Sequence, residues 1–151
     1  MEVNIDQELA FKIAGKDYII KDRSRAQNIR DEFIGEFKDI LREHGACYGF
    51  LEYNALEQNY KYILGFELSD DCIIKNNNFT TYKLKKNPYL EVNIEDKDLE
   101  AGYKYVYKSF FPNKKYFHGL GPDVEFFQYD RQNDDIGQIK LFIALKENPN
   151  V

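Results

Sequence analysis

The sequence predicts an α+β fold built as a tandem βαββ repeat, with a mostly antiparallel sheet, two main helices and a central groove shared by the two halves. Three observations predict it. Extended and helical stretches run strand, helix, strand, strand, and then repeat that order after about 75 residues. Apolar residues fall at helical spacing in two stretches and alternate in several others. Residues 48–54 also lie over residues 124–130 without a gap, which puts Gly49 where the second copy has Glu125. At 151 residues the chain reads as one domain over 1–151, long enough to bury roughly two-thirds of its unfolded surface. Repeat 1 is expected over about 7–69 and repeat 2 over about 72–146.

Residues 9–13 read as the opening strand, and residues 18–20, beyond Gly15-Lys16-Asp17, either extend it past a bulge or begin a loop. Ser24 followed by Gln27 fits a capping box. Ala26, Ile29, Phe33, Phe37 and Ile40 then recur at helical spacing up to Gly45, a natural stop. Arg30, Asp31, Glu32, Lys38, Asp39, Arg42 and Glu43 cover the other side and read as a solvated face. His44 sits at the carbonyl end of the helix dipole, which suits a helix-terminal role.

Strands 47–53 and 60–68 follow, joined by a hairpin loop. In the second, Tyr60, Tyr62, Leu64, Phe66 and Leu68 share one face. Gly65 leaves room on the other for a ligand or a neighbouring backbone. Ile73-Ile74 and then 79–84 suggest another extended segment, and Lys83, Lys85 and Lys86 read as a small solvated cluster. A second helix is expected over 96–110, with Leu99, Tyr103, Val106, Tyr107 and Phe110 as its stripe and Pro112 as its end. The loop 113–120 carries His118, read as solvated. Gly121-Pro122 opens the strand ending at Asp130, and 138–145 forms the last strand.

Composition excludes several functions. A net charge of −5 without a long basic run argues against a nucleic-acid surface. Cys47 and Cys72 make neither a CxxC pair nor a zinc spacing, and read as buried packing residues. Two distant histidines give no reason to expect a metal, and no cofactor motif is visible. No signal peptide is expected at the N-terminus, and no apolar run approaches the roughly 20 residues of a membrane span. A reducing, cytoplasmic setting is therefore expected. The 12 Tyr and 12 Phe, with no Trp, bring aromatic content to 16%. Such rings fill a core, and some of them are expected to line a cavity for a flat ligand.

The residues that point to a site are in 121–130. Alternation puts Val124 and Phe126 on one face, and Glu125, Phe127 and Tyr129 on the other. A carboxylate flanked by rings is poorly solvated unless it has a partner. The expected partner is a cationic ligand bound over Glu125, with Phe127 and Tyr129 adding stacking. Tyr48, Tyr82, Phe142 and Tyr116 are secondary pocket candidates that read as core before contact. The opposing reading places Glu125 on an edge strand, facing solvent.

These landmarks resemble the gyrase-inhibitor-like family, also called the bacterial transcription-activator effector-binding domain. The resemblance rests on Tyr62-Ile63-Leu64-Gly65-Phe66-Glu67, on Phe79-Thr80-Thr81-Tyr82, on Tyr107 through Pro112, and on Gly121 through Asp130. It covers residues 60–146 by motif and the first half by topology. Phe110 stands where that family often has Trp, and Ala144 where it often has Pro. The resemblance implies a cleft between two βαββ halves that takes small, flat, often cationic or lipophilic molecules, with Glu125 as the key acid. The leading expectation is a stand-alone binding module for sensing or sequestration, since the repeated fold leaves no room for a helix-turn-helix domain beside it. The alternatives are a hydrolase of electrophilic small molecules and an inhibitor of a basic partner such as a topoisomerase. No Ser–His–Asp or Cys–His signature supports an enzyme. The expected partner is a small hydrophobic or cationic ligand, without direct nucleic-acid or membrane contact. A DNA-binding partner chain and a homodimer both stay open.

Overall fold

The computed structural model describes residues 2–70, 74, 76, 78–113, 116–147 and 149. Cys72 and Ile73, read above as a packing residue and part of an extended segment, lie outside the described residues. The first half runs β1 (Val3–Ile20), α1 (Ala26–Glu36), α2 (Lys38–His44), β2 (Ala46–Asn54) and β3 (Asn59–Leu68). The second runs β4 (Thr80–Asn93), α3 (Leu99–Tyr105), β5 (Tyr116–His118), β6 (Asp123–Asp130) and β7 (Asp135–Glu147). The fold is α+β, and the order strand, helix, strand, strand occurs twice, with the short β5 inserted in the second pass.

The sheet order is β4-β1-β3-β2-β6-β7-β5, and β4 also pairs with β7. All of these pairings are antiparallel. Because β4 touches both β1 and β7, six strands form a closed circuit and β5 hangs on its outside. The helices cover one face. There Phe33, Phe37 and Leu41 of α1–α2 and Leu99 and Tyr103 of α3 pack on Leu51, Tyr62, Leu64, Phe66 and Phe127 of the strands. The other face curls over a second core of Ile13, Phe50, Leu84, Tyr89, Val124, Phe142 and Ala144. That core needs no helix because the sheet closes around it.

Several local expectations are corrected. The first helix is two helices, broken at Phe37 (φ −112°, ψ 30°), whose ring packs 4.9 Å from Phe33 and 4.8 Å from Phe79. No capping box forms at Ser24. Asp22 caps instead, its carboxylate accepting from the Ser24 amide at 2.9 Å, which frees Gln27 for a different task. Gly45 does end α2, at φ +85°, where a glycine has no Cβ penalty. Strand β1 begins at Val3 because its polar first stretch pairs with β4, Val3 opposite Val92 and Glu8 opposite Pro88. The loop expected over 113–120 contains β5, paired to the end of β7. Gly65 stands opposite Gly15, and a Cβ on Gly65 would lie 2.5 Å from the Ala14 carbonyl oxygen. The space beside Gly65 is thus filled by a neighbouring backbone.

Candidate functional site

The two central strands, β2 and β6, pair so that Gly49 faces Glu125. The carboxyl of Glu125 points to the helix side and is 1% exposed. Gly49 makes the space for it: a Cβ there would lie 2.9 Å from Glu125 Oε1 and 2.9 Å from a Tyr62 ring carbon. The residue that takes the place of the acid in the sequence overlay is therefore the one that accommodates it across the ladder.

Three elements then close on the carboxylate. Tyr62 of β3 donates its hydroxyl to Oε1. Tyr103 of α3 donates to Oε2 at 2.5 Å. Arg30 of α1 brings Nη1 to 3.0 Å from the Tyr62 hydroxyl and 3.6 Å from Oε1. The guanidinium lies 5.1 Å from the centre of the Phe127 ring, and Nη2 donates to Gln27 Oε1 at 2.5 Å. Arg30 itself is 7% exposed.

Burial pushes the Glu125 carboxyl above its ordinary value, and Arg30, Tyr103 and Tyr62 pull against that rise. Burial, then the charge of Glu125, holds Tyr62 and Tyr103 well above the usual phenol range, so both stay hydrogen donors. Nearby Cys47 is buried and its thiol is pushed up to about 12, which makes it a packing residue rather than a nucleophile.

The lone carboxylate expected from the sequence is thus corrected: α1 supplies a cation. The charge of Arg30 suggests the solvated face of the helix. Its spacing says otherwise, since Ala26, Arg30, Phe33 and Phe37 fall on one helical stripe. Of the candidate residues, the structure brings together Glu125 and Phe127. Tyr129 is half-buried and donates its hydroxyl to Asp134, away from the carboxylate. Tyr48, Tyr82 and Phe142 lie on the opposite face, where Tyr48 packs 4.6 Å from Phe11 and 5.2 Å from Phe126. Tyr62 and Tyr103 were missed as site residues. A dry acid needs buried donors, and a tyrosine on an apolar stripe is a side chain that can supply one.

A cavity of about 420 Å³ opens over this network, between the turn at Arg23–Arg25 and the start of α3. Arg23, Gln27, Leu51, Asp98 and Tyr103 line it with Arg30 and Glu125. The Arg23 guanidinium stacks on Tyr103, 3.8 Å from the ring centre. Among the described residues its Nη2 is buried without a hydrogen-bond partner, with Glu100 Oε1 3.6 Å away. Tyr103 in turn lies parallel to Tyr107 (6.5 Å, 7°), and Tyr107 to His118 (6.1 Å, 11°). His118 is exposed, as expected, but it ends β5 rather than lying in a loop, and it has a partner. Its Nε2 lies 2.9 Å from Asp123 Oδ1, and that contact holds the imidazole above its ordinary value.

The profile of the integron-associated effector binding protein family, Cass2, matches residues 4–145. The chain belongs to this family. Solved structures that resemble this Cass2 chain share its fold at low identity. SAV2435 bound to tetraphenylphosphonium gives a TM-score of 0.70 at 12% identity over 97% of this chain and 94% of that one. The EcmrR C-terminal domain gives 0.62 at 12% over 97% and 98%. The integron cassette protein VCH_CASS2 of Vibrio cholerae gives 0.54 at 13% over 95% of each. The effector-binding family shown by the profile agrees with the resemblance read from the sequence. No curated protein sequence matches the chain. Among the described residues no group of His, Cys, Asp and Glu is arranged to hold a metal ion, and no helix is long and apolar enough to cross a membrane.

Proposed function

We propose that this effector-binding chain takes lipophilic, cationic compounds over Glu125, for sensing or sequestration. The observation that carries the reading is a fully buried carboxylate, held at both oxygens by phenols, at the floor of a cavity. The SAV2435 structure, with tetraphenylphosphonium bound in the same fold, supports a lipophilic cation as ligand.

The geometry adds a condition. Arg23 already sits on the face of Tyr103, in the seat a ligand cation would take. A ligand therefore has to displace one cation–π contact, worth about 0.5–2 kcal/mol, and to share Glu125 with Arg30. Because both carboxylate oxygens already accept phenol hydrogen bonds, Glu125 is better suited to anchoring charge than to activating water, which favours binding over hydrolysis.

Thermal unfolding with tetraphenylphosphonium tests this on wild type and Glu125→Gln. Saturating ligand is expected to raise the wild-type Tm by several degrees, since one hundred times Kd adds about 2.7 kcal/mol. Glu125→Gln is expected to bind about tenfold more weakly. Equal shifts in both proteins would remove Glu125 from the site, and no shift in wild type would remove this ligand class.

A further inference from the structure

On the opposite face of the sheet lies a second cavity of about 580 Å³, larger than the one over Glu125 and within the range of small-molecule sites. Its floor is the end of the inner core. Phe50, Leu84 and Tyr89, at most 4% exposed, close it from below, and its accessible apolar lining comes from half-buried Ile63 and Tyr82 and from exposed Leu120. Its rim is basic. Lys61, Lys83, Lys85 and Lys86 all border it, against the single acid Glu52. That is unusual on a chain whose net charge is −5.

The lysines are gathered by the strand itself. Leu9 pairs with Asn87 and Phe11 with Leu84, so two steps along β1 oppose three along β4. The extra residue makes a bulge at Lys85–Lys86. A regular strand sends consecutive side chains to opposite faces, whereas a bulge re-aims them. Here Lys85 and Lys86 border the same mouth. Lys86 pairs with Glu8 at 3.0 Å and Lys61 with Asp17 at 3.9 Å. Lys83 and Lys85 have no ion-pair partner among the described residues. The cluster that read as merely solvated therefore holds two cations without an ion-pair partner among the described residues, at the mouth of a partly apolar cavity.

We propose that this cavity is a second binding site, for an amphipathic organic anion. Its apolar or aromatic body lies against Ile63, Tyr82 and Leu120, and its acidic head group meets Lys83 and Lys85. Glu125 plays no part, since it belongs to the other face of the sheet. The charge preference is the reverse of the one proposed for the helix side.

The test uses 8-anilinonaphthalene-1-sulfonate, an aromatic sulfonate whose fluorescence rises in apolar surroundings, titrated into the full chain. Saturable one-to-one binding is expected, weakening with added salt. The Lys83→Glu/Lys85→Glu variant is expected to lose about tenfold or more in affinity. Both side chains are exposed, so this variant should fold, and its near-ultraviolet circular dichroism is expected to match wild type. Glu125→Gln and excess tetraphenylphosphonium are expected to leave the affinity unchanged. Amide shift changes on bound wild type are expected at 82–87 and not around Tyr103. Undiminished binding by the double variant, absence of saturation, competition by tetraphenylphosphonium, or shifts centred on Tyr103 would each overturn the proposal. None of these outcomes depends on whether the Glu125 cavity binds a cation.

Discussion

Arg30 changes what Glu125 is. A buried carboxylate alone would be a strained group, whereas one 3.6 Å from a buried guanidinium and bonded to two phenols is a network. Removing one member of a buried pair leaves an uncompensated charge, at a cost of about 3–5 kcal/mol. Arg30→Met, which keeps much of the side-chain volume, is therefore expected to lower stability by about that amount at neutral pH. The sign of its pH dependence follows from Glu125. The folded-state carboxyl is raised above its ordinary value, so its contribution is fully present below the ordinary carboxylate range and is lost as pH rises through the raised value. Arg30 pulls that value down, so its loss moves the value further up. Urea unfolding of both proteins from about pH 4 to about pH 8 should show the gap widening with pH. A constant gap would mean that Arg30 acts through packing alone. At this scale the sequence was half legible. Rings on both sides of Glu125 announced its burial, but the charge of Arg30 hid a position that spacing places on the apolar stripe.

The pairing of β2 with β6 explains why one copy of the repeated motif carries an acid and the other a glycine. Gly49 and Glu125 are opposite each other, and two long side chains cannot share that point. A methyl at 49 would meet Glu125 Oε1 at 2.9 Å, a Tyr62 ring carbon at 2.9 Å and Leu64 Cδ2 at 3.2 Å. Each of these atoms is fixed by hydrogen bonds or core packing, so relief requires the carboxylate to leave its phenols. Gly49→Ala is expected to destabilise by about 1–3 kcal/mol, a fall of roughly 3–10 °C in Tm. It is also expected to weaken tetraphenylphosphonium binding although it touches no charge, and calorimetric titration would measure that loss. Wild-type affinity in a destabilised Gly49→Ala protein would show that the carboxylate position does not control the cavity. Elements with strong periodicity, such as β3 and the stripe of α3, could be read directly. The break at Phe37, the second half of β4 and the three residues of β5 could not. They are fixed by ring packing and by strand partners distant in sequence, which local pattern does not encode.

Across the whole molecule the pairing of β4 with β7 matters most. It turns an open sheet into a circuit with two separate interiors, one under the helices and one within the curl. That separation is why the predicted aromatic candidates divided: Phe127 fell to the first interior, and Tyr48, Tyr82 and Phe142 to the second. Alternation in the sequence indicated that β6 has two faces; it did not reveal that both are buried, because closure depends on contacts between chain segments about 50 residues apart. Closure also has a measurable consequence. Residues 89–93 of β4 are hydrogen-bonded to β7 on one side and have β1 on the other, and Tyr89, Leu90 and Val92 are all 0% exposed. Their amides have no free edge from which to fray. In native-state hydrogen exchange, the amides of Leu90, Val92, Leu141 and Ile143 are expected to open only with global unfolding, at the same free energy as those of Phe50 and Val124 in the central strands. Amides in β5, bonded to β7 alone, are expected to exchange by local opening at lower free energy. If Leu90 and Val92 instead exchanged with β5, the sheet would behave as an open ribbon, and the two interiors would not be independent sites.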